Sequence, residues 1–258
     1  RKYQQHDLMS PRPWNILAGL FVAACLAAAT ATHPAATTLQ IAVLENSPPI
    51  SFRDSDGRLT GFDVELARAL CAEMKVQCEF QVMVLDRVVD AVAGGEIDIA
   101  AVCLLDTPER RRRILLAKPH FRSITLWLAK SGVEPGQRGL RVAVVKGSAQ
   151  ETYARKQGWN TVGVLTNGEI GAPLLAGIAQ AAIVSMNTSL YLQGDRAFQE
   201  LGLATTVMKV PELVGNASFG INPRRPELKT AVDEALERIN RNGVYERVNT
   251  QFLPFRVH

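Results

Sequence analysis

Little in this chain marks a built-in metal or nucleotide centre. Its four cysteines and four histidines show no paired spacing of the kind that holds a structural zinc. It has neither a Walker-type loop nor a dinucleotide fingerprint, so residues 94–100 read as a helix end feeding a strand and not as a phosphate cradle. No cofactor and no metal are therefore expected. Charge of one sign is not in excess either. The formal charge is +4, but setting aside Arg1, Lys2, Arg12 and Asp7 of the first segment leaves 26 basic against 24 acidic residues. That near balance gives no footprint for nucleic acid.

A long apolar run occurs once, from Trp14 to Ala29. It follows Met9 and one arginine and leads into small residues, the pattern of an export signal within residues 1–31. Ala29-Thr30-Ala31 fits a cleavage site, and Val22-Ala23-Ala24-Cys25 fits a lipobox that would make Cys25 a lipidated N-terminus. Retention as an anchor is the third reading, since 16 residues approach the roughly 17 needed to span. Each route delivers the rest of the chain outside the cytoplasm, to a periplasm. Residues 1–8 carry no structural message.

What the chain does have is alternation. With 47% hydrophobic residues it can bury a substantial core. Strand-like 39–44 is followed by a helix at 63–74 that Asp63 would cap and whose Leu66, Ala67, Leu70, Cys71 and Met74 share one face. A strand at 78–84, a helix at 85–95 and a buried strand at 97–104 complete a β-α-β-α-β unit, which implies right-handed crossovers and a parallel sheet. The pattern restarts with a strand at 140–147, a helix at 148–158, a strand at 161–166, a helix at 168–178 and a strand at 181–186. A final strand and two helices close the chain. Two such units suggest two α/β lobes with a ligand cleft between the carboxyl ends of their strands.

Cys71 and Cys78 fall at a helix end and the following strand start, close enough to be bridged in an oxidising compartment; two small core residues would satisfy the same pattern. Cys103 is left without a partner.

"GFDVELARAL", "AVAGGEIDIA", "TPERR", "VVKGSAQET" and "AVDEALERINRNGVYERV", in register from Leu39 to Phe252, resemble the extracytoplasmic solute-binding proteins of polar amino-acid ABC uptake systems, bacterial solute-binding family 3. The resemblance implies a type II periplasmic-binding-protein fold with two α/β lobes joined by a two-strand hinge. Residues 39–125 plus 220–258 would form lobe 1 and 126–219 lobe 2. It also implies a monomer that traps a small carboxylate and delivers it to an inner-membrane ABC permease, with Cys71 and Cys78 disulfide-bonded as in similar proteins.

Arg110 opens a run of four arginines after the helix start Thr107-Pro108-Glu109. The resemblance gives Arg110 the task of gripping an α-carboxylate with its planar fork and leaves Arg111, Arg112 and Arg113 as solvated surface. From the other lobe, Gly147 ends a strand, and Ser148 with Glu151 reads as a capping box. The helix start at Ser148 and Ala149 would complete the carboxylate clamp. The remaining family positions map to Ser185, Ser47, Ile50, Leu85, Cys103 and Leu105. Here the pattern departs: the aspartate that usually pairs with a ligand ammonium is Ser185, the aromatic platform is Ser47 and its companion is Ile50. Glu45, Asn187 or main-chain carbonyls would have to serve the ammonium, or the ligand lacks one, and a dibasic amino acid is the least favoured guest. Cyclohexadienyl dehydratases share the fold, so Glu45, Glu151 and His120 stand as alternative proton donors. A fused sensor module is disfavoured, because no signalling domain follows.

Overall fold

The structure, a computed structural model, describes residues 38–254; the expected export signal within residues 1–31, with Cys25 and the Ala29-Thr30-Ala31 pattern, lies outside them. Strand β1 (Thr38–Leu44) leads through a small hairpin, β2 (Phe52–Arg53) and β3 (Leu59–Thr60), into helix α1 (Phe62–Met74). Then follow β4 (Gln77–Met83), α2 (Leu85–Gly94), β5 (Ile99–Leu105), the single-turn helix α3 (Pro108–Arg111), β6 (Leu115–Leu116) and β7 (Phe121–Ser123). The next segment holds β8 (Thr125–Ala129), β9 (Arg141–Val145), α4 (Ala149–Lys156), β10 (Asn160–Val164), α5 (Ala172–Leu175) and β11 (Ala181–Ser185). Helices α6 (Met186–Gln193) and α7 (Arg196–Glu200) precede β12 (Ala204–Val207), and the chain returns through β13 (Gly215–Ile221) to α8 (Pro226–Arg241) and α9 (Val244–Phe252).

Two sheets result. The first has the order β4-β1-β5-β13-β6, with β7 also on β13, and the second β10-β9-β11-β8-β12. Within the first, β4, β1 and β5 are parallel, joined by helix crossovers as the alternation requires. Neither sheet is wholly parallel, which corrects the expectation: β13 runs antiparallel to β5, and β8 antiparallel to β11. Each is a strand that arrives from the other half of the chain, so no crossover helix dictates its direction. Together the two exchanged strands carry the chain across at Ile124 and again between Met208 and Gly215.

Each sheet is buried on both faces, which explains strands such as β5 that read as continuous apolar runs. One face of the first sheet packs on α1, α8 and α9, with Phe62, Phe219 and Leu236 in the layer; the other packs on α2 through Val88 and Val92. The second sheet has its own pair of layers, around Ile170 and Phe198 on one side and Trp127 and Leu213 on the other. No described helix is long and apolar enough to cross a membrane.

Two local expectations fail for identifiable reasons. Gly61, not Asp63, caps α1, because Asp63 is fully buried and spends its carboxylate on Cys103 instead. The helix expected over 168–178 is broken into a 3-10 turn at Asn167–Glu169 and the four-residue α5, with Gly171 and Pro173 at the break. Pro173 cannot donate the hydrogen bond that would join the two pieces.

Cys71, in the last turn of α1, is bonded to Cys78 in β4, with Cα atoms 6.2 Å apart and Lys75 in the left-handed conformation closing the helix between them. The bridge closes a short loop, so its effect on the unfolded chain's entropy is modest. Replacing both cysteines by serine is expected to lower unfolding stability by about 2 to 3 kcal/mol, read as a lower denaturant midpoint at unchanged slope.

Candidate functional site: a buried arginine facing a helix start

The Thr107 hydroxyl accepts from the Arg110 N–H at 3.3 Å and Pro108 occupies the first helical turn, so α3 begins where the sequence places it. That turn aims Arg110 inward. Only 8% of it is exposed, and its guanidinium donates to the Leu105 carbonyl at 2.9 Å and to the Gly147 carbonyl at 3.3 Å. Among the described residues no carboxylate lies within ion-pair distance of it. Burial pulls its pKa down to about 10, with Glu109 opposing, so it stays cationic at neutral pH. The next three arginines are exposed: Arg111 pairs with Asp106, Arg113 with Asp90 at 2.7 Å, and Arg112 has no ion-pair partner among the described residues.

The opposite wall is the start of α4. Ser148 is the cap, its hydroxyl accepting from Glu151 N–H at 3.0 Å. The Glu151 carboxylate takes the Gly147 N–H at 2.7 Å, one residue before the partner a capping box predicts, because Ser148 N–H already donates to the Val145 carbonyl at 3.2 Å. The first-turn amides of Ala149 and Gln150 have no intrahelical acceptor and carry the positive end of the helix dipole. Gly147 is required at the turn before them: its φ is +75°, and a Cβ there would lie 2.4 Å from the Cα of Asp86 in α2.

Arg110 and this helix start border a cavity of about 100 Å³. From the side of the first sheet it is lined by Ser47, Ile50, Leu85, Cys103 and Leu105, and from the other by Ser148, Ala149 and Ser185. Gly147 is the exception. It lines a wider adjoining cleft of about 610 Å³, which Arg110 also borders, and its carbonyl holds the arginine. Hydrogen bonds cross between the two sides at the rim, where Gly168 N–H donates to the Asn46 carbonyl at 2.8 Å and Asn167 Nδ2 to the Ser47 hydroxyl.

The other end of the cavity is polar but uncharged; none of its described lining residues is acidic. Glu45 is exposed and outside it. Ser185 caps α6, its hydroxyl bonded to Thr188 Oγ1 at 3.0 Å and to Thr188 N–H at 3.3 Å. Asn187 is 5% exposed, and its Oδ1 has no hydrogen-bond partner among the described residues. Asn167 and Gln150 also line the cavity and were missed; as polar residues at the start of a 3-10 turn and in a first helical turn they carry no distinguishing sequence signal.

The other proton-donor candidates face elsewhere. Glu151 is held by Gly147 and Arg155. His120 is fully buried between Phe219 and Phe62 and does not line the cavity. The Cys103 thiol sits 3.2 Å from Asp63 Oδ1, and burial together with that carboxylate pushes its pKa well up, so it is no nucleophile.

The sequence model of the bacterial extracellular solute-binding proteins, family 3, matches residues 39–255. An L-arginine-binding protein of Pseudomonas aeruginosa is 26% identical over 242 residues, covering 88% of this chain and 92% of its own. The lysine/arginine/ornithine-binding periplasmic protein of Escherichia coli is 25% identical over 255 residues, covering 95% and 96%. Among solved structures, an ancestral arginine-binding protein bound to arginine superposes with a TM-score of 0.73 at 23% identity, over 83% of this chain and 97% of that one. The two-sheet α/β architecture is thus the type II periplasmic-binding-protein fold. With a family model spanning most of its length, the chain belongs to the bacterial extracellular solute-binding proteins, family 3.

Proposed function

We propose that the protein captures a small amino acid with an uncharged side chain, or a related monocarboxylate, between its two halves and delivers it to an ABC permease in the inner membrane. The observation that carries this reading is Arg110, a buried cation with no carboxylate partner among the described residues, facing the free amides of α4. A desolvated charge without a partner costs several kcal/mol, and a ligand carboxylate would offset that cost with charge-assisted bonds from both sides.

Each side supplies half of this clamp, so the ligand favours the arrangement in which both are present. We place the lobe division along the sheets, with 39–125 and the C-terminal segment against the middle of the chain and the exchanged strands as hinge. In the bound state Asn187 Oδ1 serves as acceptor for a ligand ammonium. An uncharged acceptor suffices for one ammonium. A second cation on the ligand would enter a cavity in which the only full charge among the described lining residues is already positive. For that reason the arginine and lysine named for the relatives do not suit this cavity.

The protein acts as a monomer outside the cytoplasm, exported by the leader within residues 1–31 with cleavage after Ala31. A dehydratase reading finds no support, since neither Glu45 nor His120 lines the cavity and Glu151 is engaged in the cap.

A thermal-shift panel of amino acids and organic acids tests the ligand class. A neutral amino acid or monocarboxylate at 100 times its Kd is expected to add about 2.7 kcal/mol of stability; stabilisation by arginine or lysine alone contradicts the reading. In calorimetry with the ligand so found, Arg110→Ala is expected to lose about 3 to 5 kcal/mol of binding. Arg112→Ala should change it by less than about 0.5 kcal/mol. Equal losses would contradict a special role for Arg110 in gripping the ligand.

A further inference from the structure

Behind the cavity wall, three elements bring together side chains that no sequence motif groups. Asp63 comes from the first turn of α1, Cys103 from β5 and His120 from the turn before β7. Cys103 Sγ lies 3.2 Å from Asp63 Oδ1 and 3.7 Å from His120 Nε2, and that nitrogen lies 3.7 Å from the same Asp63 oxygen. We propose that these three atoms form a preorganised tripod for one zinc-class divalent cation, with its fourth coordination position reached from the solute cavity.

The geometry carries the proposal. Three donors at the corners of a triangle with these edges share a centre about 2.1 Å from each. A cation displaced slightly out of their plane meets oxygen and nitrogen at about 2.0 to 2.2 Å and sulfur at about 2.3 Å, the bond lengths of tetrahedral zinc. Tetrahedral bonds of those lengths separate their donors by roughly 3.3 to 3.6 Å, so small side-chain shifts suffice. The donor set of thiolate, imidazole and carboxylate suits zinc or cobalt and not magnesium or calcium.

The tripod is also held. Asp63 Oδ2 accepts the Cys103 backbone N–H at 2.9 Å, which orients the carboxylate from behind. The His120 ring is fixed against Phe219, with centroids 4.1 Å apart, and its own carbonyl accepts from the Tyr245 hydroxyl. Cys103 is half-buried and is the member of the cluster that lines the cavity, so a cation would approach from that side. As the metal–sulfur bond forms, the thiol proton leaves to solvent, the cation's charge offsetting the burial and the Asp63 carboxylate that otherwise keep the thiol protonated. His120 Nδ1 has no hydrogen-bond partner among the described residues, so the outer support that tightens most metal-bound histidines is missing. The expected affinity is accordingly below that of a closed structural zinc centre.

The test uses the full chain, stripped with chelator and free of added solute, titrated with cobalt(II). One cobalt per chain with a thiolate-to-metal charge-transfer band in the near ultraviolet, displaced by zinc, is expected. Cys103→Ser, which keeps the volume and a hydrogen-bonding group, should lose the band and weaken binding by more than about tenfold; His120→Gln should do the same. No band in the unmodified chain, or a band that persists in Cys103→Ser and so arises from Cys25, overturns the proposal. Should a variant fail to fold, the unmodified chain decides alone: chelator-reversible stabilisation by zinc at one equivalent supports the site, and its absence overturns it. Because the readout is cobalt absorption and no solute is added, failure here leaves the solute-capture reading standing, and failure of that reading leaves this one standing.

Discussion

The organisation of this molecule turns on one buried positive charge that has no negative partner within the described fold. Arg110 is carried on a four-residue helix and held by two carbonyls, one on its own strand end and one across the cleft. Carbonyl dipoles offset part of its lost hydration but leave its positive charge unneutralised. Both sheets serve this arrangement. β5 delivers the arginine, β9 delivers the α4 start, and each strand ends at the cleft because parallel β-α units place all their carboxyl ends on one side.

The site is lopsided, and the asymmetry is chemical. At one end a guanidinium and free amides converge; at the other, hydroxyls and amides are bonded mostly to one another, through Ser47, Asn167, Thr188 and Ser185. Such a chain of neutral groups positions a guest without demanding charge from it. It also links the two sides of the cleft, so the contacts that define the cavity and those that close its rim are partly the same. A ligand that strengthens the first set shifts the population toward the state containing the second.

The sequence was legible where a local rule operated. Helix α1 followed its apolar spacing, α3 its Thr-Pro start, and the disulfide the placement of Cys71 and Cys78. The special standing of Arg110 among four arginines was readable only through family register, since nothing local separates it from Arg111. What stayed hidden is set by distant contacts. The direction of β13 depends on the chain's return from the second sheet, and the burial of Asp63 on its bond to a cysteine 40 residues away. Ser185 was placed in the cavity wall by register, but that its hydroxyl is committed to capping α6 needed coordinates. The Asp63, Cys103 and His120 cluster is invisible to spacing rules for the same reason.

A crystal structure of the protein with solute retained from purification or added from the binding panel tests the central claim most directly. The account predicts one ligand carboxylate within hydrogen-bond distance of both the Arg110 guanidinium and the backbone amides at Ala149 and Gln150. A solute bound with its carboxylate away from either group, or an Arg110 turned out to solvent, would contradict it.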